Sequence, residues 1–187
     1  MISVLEHPDL RRRALPIGVD AYHRMQHYGL VPRRAELIRG FIVEKVSKSP
    51  LHTRLTDRLR ELLEEWACKR FWVRKEDPLT LVDSEPEPDI SVVAGGRDDY
   101  EHAHPTTALL VVEVAVSAES SDRALIPIYA AAGVTELWLV RAAKKQIECF
   151  VHPGEGGYEE SSVCGVGEIL TSTALPGFQL DVGAFFR

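Results

Sequence analysis

An acidic side chain in the middle of an apolar strand demands an explanation. Glu113 interrupts Leu109-Leu110-Val111-Val112-Glu113-Val114-Ala115-Val116, a run apolar enough to read as a central strand covered on both faces. A lone carboxylate there costs several kcal/mol unless it is neutralised, paired or bound to a metal. A second carboxylate, Asp89, follows Glu85-Pro86-Glu87-Pro88. The two prolines force extended backbone and end any helix, so Asp89 stands at the mouth of a strand over 90–93. If the two strands share a sheet, Asp89 and Glu113 converge. Two such carboxylates with water suit Mg²⁺, which takes hard oxygen ligands in octahedral geometry and keeps several waters. Glu36 is a third carboxylate, on a separate β-type run. The competing reading pairs Glu113 with a buried Arg or Lys; Asp89 behind its prolines shifts the balance toward a site.

The elements that must position these groups follow from periodicity. Residues 35–46 alternate around Arg39-Gly40 and read as a hairpin. Leu55, Leu59, Leu62, Leu63 and Trp66 fall on one face of an amphipathic helix over 51–69. Strands are expected at 71–74, 79–82, 90–93, 109–116, 136–140 and 146–151, with short ones at 158–163, 169–171 and 180–182. Asp20 is a plausible N-cap for a helix running toward Tyr28. A second helix is expected over 123–132, kinked or opened by Pro127 and closed by Gly133. Residues 1–19 lack a period and read as an N-terminal arm, leaving 20–187 as a single domain. A central apolar strand with helices on both sides in sequence gives an α/β (α+β) layered fold.

Composition narrows the class. The 187 residues are 45% hydrophobic and 27% charged, which excludes disorder and coiled coil. No run approaches the roughly 20 apolar residues of a membrane span, the first residues lack a secretory pattern, and Cys68, Cys149 and Cys164 are too few and too scattered for a disulfide framework. A cytoplasmic protein without membrane association is expected. The net charge of −6 hides an asymmetry: residues 1–75 hold 16 Lys and Arg against 9 Asp and Glu, and the rest is strongly acidic. A nucleic-acid backbone needs a local positive face rather than a positive total.

Five segments carry a resemblance: Glu36-Leu37-Ile38-Arg39-Gly40-Phe41-Ile42-Val43-Glu44, Ser49-Pro50-Leu51-His52, Glu85-Pro86-Glu87-Pro88-Asp89, Val112-Glu113-Val114-Ala115, and 129–140 from Tyr129 through Trp138 to Val140. Their order resembles the Uma2 family, common in cyanobacteria and other bacteria and similar to the PD-(D/E)XK nucleases. The resemblance implies a restriction endonuclease-like core, a central mixed sheet flanked by helices, with an N-terminal helix and hairpin and a C-terminal β extension. It implies a metal-dependent DNA endonuclease, with Mg²⁺ or Mn²⁺ held by Asp89, Glu113 and the main-chain carbonyl of Val114, and Glu36 approaching from outside the sheet. It also implies a homodimer. The lysine of the nuclease pattern is absent: Ala115 stands two residues after Glu113, and the alternative position on the following helix holds Leu125. Arg123 is the nearest cation and completes the catalytic candidates. An arginine can stabilise phosphate charge but cannot act as a general base. Lys45, Lys48, His52 and Arg54 are the candidate nucleic-acid contacts. The alternative is a catalytically degenerate nuclease fold serving as a nucleic-acid-binding or scaffold protein. His102 and His104 read as loop, and Tyr129 and Trp138 as core aromatics.

Overall fold

The computed structural model describes residues 7–67, 70–117 and 119–187, with Arg11 described by its backbone alone. Cys68, Lys69 and the first six residues of the expected arm lie outside the described residues. The remainder of the lead-in contains a short helix, α1 (Pro8–Arg13), where sequence had suggested no regular structure. Helix α2 (Val19–His27) follows, with Gly18 at the N-cap and Asp20 inside the first turn.

The hairpin forms as its alternation predicts: β1 (Ala35–Ile38) pairs antiparallel with β2 (Phe41–Glu44), Ile38 opposite Phe41. Arg39 and Gly40 both have positive φ, as a type I′ turn requires. Gly40 is needed for a second reason, because a Cβ there would meet that of Pro16 at 2.3 Å. The hairpin thus clamps the lead-in, with Ile17 N–H donating to the Gly40 carbonyl.

The main sheet has six strands in the order β3 (Phe71–Lys75), β4 (Ile90–Ala94), β5 (Leu110–Ala115), β6 (Glu136–Arg141), β7 (Gln146–Gly154), β8 (Gly157–Gly165). Only β5 and β6 run parallel, and α4 (Glu119–Ala131) forms the crossover between them. Helix α3 (Pro50–Ala67) presents Leu55, Leu59 and Leu63 to one face of this sheet, together with the end of the chain, β9 (Ile169–Thr171), β10 (Gln179–Asp181) and α5 (Val182–Phe185). On the other face α4 packs Ile128 and Tyr129 beside Leu79 and Leu81. The architecture is mixed α+β, and every residue of β5 is buried, as its apolar run predicts.

Two elements differ from expectation. Residues 79–82 do not form a strand. They fold back through Leu79 N–H to Pro86 O and Leu81 N–H to Ser84 O, and the buried Leu79 and Leu81 pack onto the sheet from above it. Helix α4 begins at Glu119, four residues earlier than periodicity indicated, and continues through Pro127.

The sheet buries a second strand carboxylate, Glu136, which serves as an internal reference. Trp138 Nε1 donates to its Oε1 at 2.7 Å, and Ser172 Oγ, Thr173 N and Oγ1, and Ala174 N all donate to its Oε2. This carboxylate is satisfied by its fold and ties β6 to the turn before β10. Glu136→Ala should therefore leave several buried donors unpaired and lower the unfolding free energy by at least about 3 kcal/mol, at the usual 1–3 kcal/mol per orphaned group. Urea denaturation of the variant beside wild type checks this.

Candidate active site

Glu113 has no comparable set of donors. The antiparallel register pairs Ile90 with Val112, so Asp89 and Glu113 lie beside each other one step further along. Tyr129, reaching from α4, donates its hydroxyl to Glu113 Oε1 at 2.7 Å, and the Asp89 N–H lies 3.4 Å from Oε2. No arginine or lysine pairs with Glu113 among the described residues, so the buried ion pair weighed from sequence is not what the fold contains. Burial, and then the charge of Asp89, push its carboxyl well above the ordinary glutamate range.

Asp89 is held in the opposite sense. Its Oδ2 accepts the Val114 N–H at 2.8 Å and His52 Nε2 at 2.9 Å, and its Oδ1 accepts Lys48 Nζ at 2.7 Å. A carboxylate can only accept here, so Nε2 is the protonated nitrogen of His52. Burial raises the Asp89 carboxyl, but His52 and Lys48 outweigh it and hold it below the usual range. Lys48 and His52 reach Asp89 because Ser49 caps α3. Its Oγ accepts the His52 N–H and its carbonyl the Thr53 N–H, and Pro50 takes the first helical position where no donor is needed.

These groups line one cleft of about 380 Å³, together with Glu36, Lys45, Glu87, Val114 and, from α4, Asp122 and Leu125. Glu36 accepts the Glu87 N–H at 3.1 Å; burial raises its carboxyl. Lys45 pairs with Glu87. Val114 contributes a visible contact through its N–H rather than its carbonyl. Two sequence candidates do not join the cleft. Arg123 turns to Glu119 and Glu148 on the α4–β7 side, because Asp122 and Leu125, three residues apart, form the side of α4 that lines the cleft. Arg54 is exposed and donates to the carbonyl of Arg187.

Sequence reading missed two participants, Asp122 and the Tyr129 hydroxyl. Asp122, in a segment that reads from sequence as loop and helix start, is half-buried in the cleft, where burial and then Asp89 push its pKa up to about 6. Acidic Glu119 and Asp122 in a first turn were the available signal for the earlier helix start. Tyr129 is a core aromatic whose hydroxyl also works, and nothing in its spacing revealed that. Lys48, expected on nucleic acid, is bonded to Asp89 itself. Among the described residues no group of three or more His, Cys, Asp or Glu side chains is gathered as a ready metal cage, and no helix is long and apolar enough to cross a membrane.

A family model for a putative restriction endonuclease, Uma2, matches residues 19–183. The chain belongs to the Uma2 family. Its nuclease-like character and the likeness drawn from five segments of sequence thus agree. The fold is similar to the crystal structure of a putative nuclease belonging to DUF820 from Anabaena variabilis ATCC 29413. The TM-score is 0.78 at 16% identity, over 91% of this chain and 98% of that one. No curated protein matches. In this Uma2 chain the raised Glu113 carboxyl has a measurable consequence. A carboxyl raised in the folded state is deprotonated first in the unfolded chain, so stability falls as pH rises from about 4.3 toward the folded value. Glu113→Gln removes this penalty. It should melt above wild type at neutral pH, with the difference closing as pH falls toward about 4.3; thermal melts across pH test the sign.

Proposed function

We propose that the chain is a divalent-metal-dependent DNA endonuclease that hydrolyses phosphodiester bonds in the cleft around Asp89 and Glu113. The observation that carries this reading is the pairing of two buried carboxylates on adjacent strands, one of which has no cationic partner. Glu136 in the same sheet supports the contrast, since a glutamate buried for structure alone is surrounded by donors. A divalent cation fits this pair. Mg²⁺ is commonly held by one or two carboxylates plus waters, and a double positive charge beside Glu113 and Asp89 would offset the repulsion that raises Glu113. Asp89, Glu113 and the Val114 carbonyl are the residues that would hold it. Bound there, it would polarise the scissile phosphate and lower the pKa of a water.

The chain's own residues supply the remainder. Tyr129 fixes the rotamer of Glu113, and His52 and the Val114 N–H fix that of Asp89, so both carboxylates are oriented before any ligand arrives. Asp122, pushed up to about 6, exchanges a proton near neutral pH and can take one from a water entering the cleft. The basic excess of the first 75 residues favours a polyanionic substrate, and a homodimer would offer two clefts to two strands.

A second reading, a degenerate fold that binds nucleic acid without cutting it, is favoured by the apolar side chain of Leu125 in the cleft wall. Plasmid cleavage with Mg²⁺ and Mn²⁺ separates the two. Wild type should nick or linearise DNA, EDTA should stop it, and Asp89→Asn and Glu113→Gln should each lower the rate at least about 100-fold, the scale for losing a group that organises the transition state. Salt-dependent binding without turnover in either metal would establish the second reading instead.

A further inference from the structure

We propose that the ammonium of Lys48 is the fixed charge that stabilises the scissile phosphate, supplied by the loop before α3 rather than by α4. This rests on the endonuclease reading and assigns one catalytic residue within it.

The cleft is lined by Glu36, Glu87, Asp89, Glu113 and Asp122, and a phosphodiester entering it meets their charge at short range, where a fixed cation gains most. Among the described residues lining it, only Lys45, Lys48 and His52 carry or can carry positive charge. Lys45 pairs with Glu87 rather than with either strand carboxylate. The α4 wall offers none, because Leu125 lines the cleft and Arg123 is bound to Glu119 and Glu148 outside it. Lys48 alone sets an ammonium on Asp89, 2.7 Å from Oδ1, with Glu76 Oε1 at 3.1 Å on its other side. Two acceptors aim it without sealing it, since its side chain remains 25% exposed. The Ser49 cap makes that placement rigid from the helix end.

Held between two carboxylates, the Lys48 ammonium acts as a fixed charge rather than as a base. In the reaction a water oxygen bonds to phosphorus as the P–O ester bond breaks. The water gives up one proton and the departing oxygen takes one up, while Lys48 keeps its own throughout. Its contribution is to the charge that builds on the phosphate oxygens at the transition state.

The test compares wild type, Lys48→Met, Lys48→Arg and the double variant Lys48→Met with Leu125→Lys on a short labelled duplex. It measures kcat and KM with Mg²⁺, and duplex binding in EDTA by anisotropy. Lys48→Met should lower kcat by about 100-fold or more with KM and EDTA binding nearly unchanged. Lys48→Arg should keep most of the rate. A lysine placed at Leu125, on the wall across the same cleft, should return at least about tenfold of the loss. Wild-type kcat in Lys48→Met, a loss matched by loss of duplex binding, or a double variant no faster than Lys48→Met each overturns the assignment. No cleavage by wild type overturns the endonuclease reading beneath it.

Discussion

Two carboxylates that the sheet forces together are the constraint from which the site follows. The β4–β5 register fixes Asp89 against Glu113 as firmly as it fixes the apolar residues beside them, and both are buried. The fold answers this charge unevenly. Asp89 receives a lysine, a histidine and a backbone N–H, whereas Glu113 receives a phenol and one long backbone contact. The cost falls on the group with fewer donors, whose carboxyl is driven toward its neutral form. Such a cost persists in a well-packed sheet when the uncompensated group is used for something other than stability.

Supporting elements take their meaning from that pair. Helix α3 delivers Lys48 and His52 to Asp89 through its capped N-terminus, α4 delivers Tyr129 and Asp122 to the other side, and the hairpin brings Glu36 and Lys45 across the opening. Glu85 links these layers. It bridges to Leu37 in β1, and its carboxylate accepts from Thr80 and His23. The prolines that flank Glu87 hold this segment extended so that its backbone can serve both the hairpin and the sheet.

Much of this was legible in the residues. The apolar run around Glu113, the prolines before Asp89 and the alternation around Arg39-Gly40 each have a local cause, and local causes survive into the fold. What escaped depended on partners distant in sequence. Residues 79–82 have strand composition, but after Pro78 the backbone bonds partly within its own turn and partly, through Thr80 N–H, to the distant Pro105 carbonyl. Arg123 has the charge, but on α4 it lies one position away from the side that Asp122 and Leu125 present to the cleft. Successive residues of a helix point about 100° apart, so Asp122 faces the cleft while Arg123 turns to Glu119 and Glu148. The hydroxyl of Tyr129 could not be told from any other buried aromatic by pattern alone.

The cleft collects side chains from Glu36 to Leu125, from the hairpin, α3, the sheet and α4, separated by long stretches of chain. Contacts of that span pay loop-closure entropy before they return anything, so they form late. The β7–β8 ribbon, by contrast, joins neighbouring segments and can form on its own schedule. A newly made or partly unfolded chain therefore holds Asp89 and Glu113 without His52, Lys48 and Tyr129 to aim them. On the endonuclease reading proposed above, the fold itself acts as the safety catch, since the site exists only after the whole molecule has closed around it.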